Sequence, residues 1–423
     1  MQIDRGKFLE DGYLLIRKVV SPNQLAQLRL TTELLVDRSK VRSIEGKRND
    51  PRGSRWYSSI QPRVEIDQTV DNETSDIVDF LLGTSVHGLS HALMDAPETA
   101  ITSMQINCSG LIDFGYTDWH RDSSAREQAP LCGLQNDLME NAPGYVQWNI
   151  ALYDDDVFWL VPGSHKQPSD EDQRQQLLLD PTSKLKGGVP IKLKAGDGVV
   201  YPNLMMHWGS FYSSKFRRTL HLGFRSFGGN LLPYAHFIHW DEGLKFTNHL
   251  SEHARSYFHR CIALFNQEAD EIERTLRSVI DGDSEKFQHQ IGILHPGKNW
   301  RMTAVVLLCR LAEKIALGHN PKIIELAEEE RNKELSGPAE GRYYTGLSAR
   351  FSAREAEILT KRFAELNARL DRDAADVHDR YRTVYDNLRP NSDQSPNFES
   401  RPLRQFHCNM PENFGIAEFV DSW

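Results

Sequence analysis

Two side chains in Tyr116-Thr-Asp-Trp-His-Arg-Asp-Ser123 are placed to act together, because His120 and Asp122 stand two residues apart. An extended chain points residues i and i+2 the same way, so one imidazole and one carboxylate would project from a single face. Taken alone such a pair is weak, since most mark only a strand end that meets solvent. His207 supplies a second imidazole. It lies in Val199-Val-Tyr-Pro-Asn-Leu-Met-Met-His-Trp-Gly-Ser210, which reads as an apolar strand ending in a turn. Two histidines and one carboxylate occupy one face of an octahedral metal and leave three adjacent positions open, the donor set that suits iron(II) and two further reactants.

The stretches around these residues add to the signal. Leu160-Val-Pro-Gly-Ser-His-Lys166 and Lys194-Ala-Gly-Asp-Gly-Val-Val200 lie between the pair and His207, and Phe216-Arg-Arg-Thr-Leu-His221 follows it. H-x-D, the strand around Trp148, P-G-S-H-K, A-G-D, a distal His and a following Arg occur in that order. In this the chain resembles the phytanoyl-CoA dioxygenase family of Fe(II)/2-oxoglutarate oxygenases, over about residues 5–230. The resemblance implies Fe(II) bound by His120, Asp122 and His207, with 2-oxoglutarate as co-substrate and O2 as oxidant. It implies hydroxylation of an unactivated C–H of a small molecule, with release of succinate and CO2. Related halogenases carry Gly or Ala where this chain has Asp122, so hydroxylation is favoured.

2-Oxoglutarate also has a distal carboxylate, for which a bidentate arginine is the apt partner. Arg217 and Arg218 are the two candidates. Aligning Phe216-Arg-Arg-Thr-Leu220 with the family strand selects Arg217. Alternation agrees, since Arg217, Thr219, His221 and Gly223 form a small-and-polar face and Leu220, Leu222 and Phe224 an apolar one. Arg218 remains the alternative. Trp148 corresponds to the family tryptophan that lines the co-substrate pocket, with Gln147 and Asn149 pointing away from it. Ser210, three residues after His207, and Gln105 or Asn107, on the strand before the pair, are further polar contacts for 2-oxoglutarate. His165 in P-G-S-H is read as structural, and His221 as a pocket residue outside the ligand set.

These residues need strands to carry them. Stretches at 101–108, 144–152, 158–161, 189–193, 198–201 and 218–224 are β-rich, with turn signals such as Pro162-Gly163 and Gly196-Asp197-Gly198. Metal ligands on strands far apart in sequence predict a double-stranded β-helix, a jelly roll of two sheets, with flanking helices. Ahead of it come a strand near 13–17 and, after Ser21-Pro22, a helix through about Asp37. Another helix is expected over 76–93, and 123–143 and 165–188 read as polar rim loops. The stretch 38–55 reads as a basic loop with Arg38, Lys40, Arg42, Lys47, Arg48, Arg52 and Arg55, able to attract an anionic substrate. After about Tyr234 the pattern turns helical: 248–276 with Phe258, Ile262 and Phe265 on one face, 300–317, and a long helix opened by the capping box Ser352-Ala-Arg-Glu355. The expected division is a jelly-roll oxygenase domain over 1–233 and an α-helical region over 234–423, a candidate lid or the oligomerisation element of a homodimer. The aromatics Phe414, Phe419 and Trp423 imply that the tail docks onto the body.

At 423 residues, with 39% hydrophobic and 26% charged, the chain can build sizeable cores. A formal net charge of −9 argues against nucleic-acid binding. Five scattered cysteines without C-x-x-C spacing fit a reducing cytoplasm and argue against a disulfide framework. There is no signal-peptide pattern at the start, and no apolar run approaches the roughly 20 residues that span a bilayer. Two other functions use the same ligands: a catalytically inactive jelly-roll binding or interaction protein, and a metal-dependent hydrolase. The hydrolase lacks an H-E-x-x-H motif.

Overall fold

A computed structural model describes residues 3–45, 56–123, 128–228, 244–297, 299–335, 338–388 and 405–423. Among these, ten strands are present: β1 Leu14–Ile16, β2 Arg63–Glu65, β3 Glu98–Cys108, β4 Gly115–Tyr116, β5 Tyr145–Ala151, β6 Asp155–Leu160, β7 Val189–Leu193, β8 Gly198–Pro202, β9 His207–Phe211 and β10 Arg218–Phe227. They pair antiparallel into a larger sheet, β1-β8-β5-β10-β3-β2, and a smaller one, β4-β9-β6-β7. This is the expected two-sheet jelly roll. Phe158, Leu160, Ile191, Leu193, Tyr201 and Met205 pack together between strands of both sheets.

The register decides what each face carries. His221 lies opposite Gln105 on one side and Asn149 on the other, whereas Leu222 lies opposite Met104 and Trp148. One face of the larger sheet is therefore polar and the other apolar, as alternation requires. The apolar face is covered by Leu28 and Leu35 of the helix Pro22–Glu45, by Leu81 and Leu93, and by Phe258, Cys261 and Leu264 of the helix Glu252–Asp281. Contrary to expectation, the chain over Asp76–Met94 does have the length and composition of a membrane span. Here it is broken at Gly83 into Asp76–Leu81, a π turn at Thr84–Gly88 and Leu89–Met94, and it packs into this same core.

Beyond the jelly roll, caps set the helix boundaries. Ser251 and Asp283 accept backbone N–H groups at the starts of Glu252–Asp281 and Ser284–Leu294, and Ser352 with Glu355 forms the reciprocal box expected ahead of Ala353–Arg362. The long helix continues as Ala364–Leu388 after a break at Phe363. A second core joins these helices to Arg301–Gly318, to Phe414 and Phe419, and to Leu131, Leu134 and Leu138 of the helix Leu131–Asn141. Trp423 packs against it.

Several expectations change. The helix starting at Pro22 runs to Glu45, so Arg38, Lys40 and Arg42 sit on a helix rather than in a loop. Arg38 pairs with Asp71 and Glu73, Lys40 with Asp37, and Arg42 donates to the Gln68 carbonyl. The other four cations of that stretch lie outside the described residues. The supposed rim loops contain the helices Leu131–Asn141, which buries Leu131, Leu134 and Leu138, and Glu171–Leu179, which buries Leu177. The stretch 199–210 is two strands, β8 and β9, and His207 begins the second. All five cysteines are free thiols.

Candidate metal centre

His120, Asp122 and His207 converge: one ligand atom from each lies within 4.8 Å of the others. His207 opens β9, and His120 forms an isolated antiparallel bridge with it, each backbone N–H donating to the other's carbonyl at 2.9 Å. Asp122 is fixed by its own N–H to the Asn203 carbonyl at 2.9 Å. The Nε2 atoms of His120 and His207 stand 3.8 and 3.5 Å from the Asp122 carboxylate oxygens.

The outer hydrogen bonds set the tautomers. His120 Nδ1 is 2.7 Å from the Asp118 carbonyl and His207 Nδ1 is 2.9 Å from that of Met205. A carbonyl only accepts, so Nδ1 donates in each ring and Nε2 is the nitrogen turned toward the other two residues. Gln147 Nε2 donates to Asp122 Oδ2 at 3.0 Å and orients the carboxylate. Two imidazoles and one oriented carboxylate fit a divalent first-row ion with room for further ligands.

Arg217 lies one residue ahead of β10, on the polar face. Its Nε donates to Asp155 Oδ2 at 2.8 Å, and Thr219 Oγ1 donates to the same oxygen at 2.6 Å. Burial works against the Asp155 carboxylate, but the Arg217 charge and the bonds from Thr219 and the Val157 N–H outweigh it and hold its pKa below the ordinary value. The terminal nitrogens of Arg217 have no partner among the described residues. Arg218 points the other way, its Nε and one terminal nitrogen binding Glu33 at 2.8 and 3.0 Å while it stacks over Phe216.

The remaining candidates divide by face. Gln105 is on the polar face, donating to Glu65 Oε1 at 2.9 Å. Asn107 shares that face, and its Oδ1 is buried without a partner among the described residues, as is Gln147 Oε1. Trp148 is a correction. Gln147 and Asn149 take the inner side of β5, so Trp148 faces the helices, fully buried, with Nε1 donating to Ser90 Oγ at 2.8 Å. Ser210 is another, for three steps along a strand from His207 reverse the face. Ser210 lies on the side of Trp208 and donates to the Val157 carbonyl at 3.3 Å.

Sequence reasoning missed Gln147 and Asp155. The signal for Gln147 was present in the alternation about Trp148; Asp155 reaches Arg217 from the other sheet, and no spacing announces that. His221 Nδ1 contacts Asn149 Oδ1 at 3.0 Å, and burial, with Arg63 nearby, pushes its pKa down to about 3. It lines the polar face as a neutral ring. His165 is structural, its Nε2 2.8 Å from the Leu9 carbonyl.

A family model described as phytanoyl-CoA dioxygenase (PhyH) matches residues 8–219, half of the chain. No curated protein matches it. Similar solved structures include AviO1 from Streptomyces viridochromogenes Tue57, at 21% identity over 53% of this chain and 96% of that one, with TM-score 0.38. HygX from Streptomyces hygroscopicus, solved with nickel and 2-oxoglutarate bound, is 15% identical over 53% of this chain and 88% of its own, with TM-score 0.39. The non-haem α-ketoglutarate-dependent epimerase SnoN of nogalamycin biosynthesis is 15% identical over 52% and 81%, with TM-score 0.35. With its motifs in order and its matched half folded as a jelly roll, the chain belongs to the phytanoyl-CoA dioxygenase family of Fe(II)- and 2-oxoglutarate-dependent oxygenases.

Proposed function

We propose that this oxygenase hydroxylates an unactivated C–H of a small molecule, with Fe(II) held by His120, Asp122 and His207 and 2-oxoglutarate held by Arg217. The observation that carries the reading is the convergence of two imidazole Nε2 atoms and one oriented carboxylate. When bound, iron and 2-oxoglutarate supply the oxidising chemistry, which consumes O2 and yields succinate and CO2.

The chain's own part is geometry and charge. Asp155 and Thr219 hold Arg217 so that its terminal nitrogens can fork onto the distal carboxylate of 2-oxoglutarate. Phe158 and Tyr201, both buried, pack against the His207 ring and exclude water behind it. Gln105, Asn107, Asn149 and His221 give the inner face hydrogen-bonding groups, which favours a polar substrate. The case for an anionic one is weaker, since Arg38, Lys40 and Arg42 are engaged by the protein itself.

The test is to incubate the Fe(II)-loaded chain with 2-oxoglutarate and candidate polar small molecules, following O2 uptake, succinate and a product 16 mass units heavier per hydroxylation. Asp122→Ala should abolish succinate formation and weaken Fe(II) binding while leaving the circular dichroism spectrum unchanged. Full succinate production by that variant would remove the metal assignment. A binding protein would form no succinate at all, and a hydrolase would turn over without O2.

A further inference from the structure

Gln405 lies far outside the matched region, yet it reaches the turn that carries two of the three metal ligands. Each carbonyl of that turn has its own donor. The His207 N–H takes the His120 carbonyl, Asn203 Nδ2 takes that of Asp122 at 3.3 Å, and Gln405 Nε2 takes that of Arg121 at 3.0 Å. Gln405 and Arg121 are only 5% and 2% exposed, so water cannot replace the Gln405 amide at little cost.

The chain that follows Gln405 is anchored on its far side. The Leu131 and Cys132 N–H groups, at the start of the helix Leu131–Asn141, donate to the His407 and Cys408 carbonyls at 2.9 and 2.8 Å. Phe406 joins Tyr381 in a cluster with Trp119 and Trp208. Trp119 precedes His120 and Trp208 follows His207, and their rings stack 4.5 Å apart. The Arg121 side chain meanwhile is sunk into the Leu204, Ser164 and Gln167 carbonyls. With Arg121 held at its side chain by these carbonyls and at its own carbonyl by Gln405, the orientation of His120 and Asp122 depends on both.

We infer that Gln405 is a positioning residue of the metal centre, by which the helical part of the chain sets the affinity of the His120–Asp122–His207 site. The inference rests on those three residues being the ligands. It is tested on the full chain by anaerobic Fe(II) titration of the wild type, Gln405→Met and Asp122→Ala. Methionine keeps the length of the side chain and removes the donor. The Kd of Gln405→Met should rise about 10-fold or more, as for other residues that orient metal ligands, whatever the unanswered carbonyl costs the metal-free protein in melting temperature. A purely structural role would lower the melting temperature and leave Kd alone, which would overturn the inference. Wild-type Kd in Gln405→Met beside lost binding in Asp122→Ala overturns the positioning role alone; wild-type Kd in Asp122→Ala overturns the ligand assignment itself. If Gln405→Met does not fold, hydrogen exchange of the unmodified chain decides. Fe(II) loading should slow exchange at the Leu131 and Cys132 amides, and unchanged rates there would overturn the coupling.

Discussion

Arg217 and Arg218 are neighbours in sequence and lie on opposite faces of one strand. Arg217→Ala should raise the KM for 2-oxoglutarate by the equivalent of about 2–4 kcal/mol. Arg218→Ala, which removes the pair to the half-exposed Glu33, a bond to the Arg217 carbonyl and the stacking over Phe216, should cost about 1–3 kcal/mol of stability and leave KM alone. Steady-state kinetics on the two variants checks both; reversed effects would mean that the faces are misassigned. Asp155→Asn leaves the Arg217 charge buried without its partner and should cost about 3–5 kcal/mol in urea unfolding. The folded pKa of Asp155 is depressed, so its contribution is present above the unfolded carboxylate range near pH 4 and is lost as pH falls through the folded value. The stability of Asp155→Asn should accordingly decline less steeply below about pH 4 than that of the wild type. Alternation sufficed to sort the two arginines because it is a local property of one strand. It failed for Trp148 because its phase was tied to a family position and not to Gln147, the β5 side chain that touches a ligand.

At the scale of elements, the N-terminal helix Arg5–Asp11 is fastened to the P-G-S-H turn. His165 reaches the Leu9 carbonyl, the Gly163 N–H donates to that of Asp11 at 2.9 Å, and Gly12 ends the helix with φ +81°. A Cβ on Gly12 would lie 2.2 Å from both His165 Nδ1 and Met205 Cε. Gly12→Ala should therefore destabilise the fold by about 1–3 kcal/mol, through the left-handed backbone and the clash together; an unchanged melting temperature would argue against this close fit. The longer strands were legible because burial imposes a period of two, which several residues can display. β2 and β4, of three and two residues, are too short to show any period. The helices Leu131–Asn141 and Glu171–Leu179 were hidden because neither carries a clean apolar stripe: the first buries Gln135 and Asp137 beside its leucines, and the second buries Leu177.

For the whole molecule, apolar helix faces announced burial without naming what they bury against, because an amphipathic stripe carries no address. Phe258, Cys261 and Leu264 complete the core that covers the larger sheet, while Leu131, Leu134 and Leu138 of the jelly-roll half enter the helical core. The regions 1–233 and 234–423 exchange core residues in both directions. Expression of residues 1–233 alone should give an aggregating protein with exposed apolar surface, read by dye binding and gel filtration; a soluble, monomeric and fully active fragment would defeat this. The bond from Gln405 to Arg121 also has a consequence for biosynthesis. Its two ends are 284 residues apart, so at ribosomal rates of ~5–20 residues per second the turn that carries His120 and Asp122 waits roughly a quarter of a minute to a minute for this donor to be made. Until then a nascent chain can fold its strands and gather its three ligands, but the carbonyl between two of them is unanswered. Completion of this turn thus follows the synthesis of the sheets that carry it.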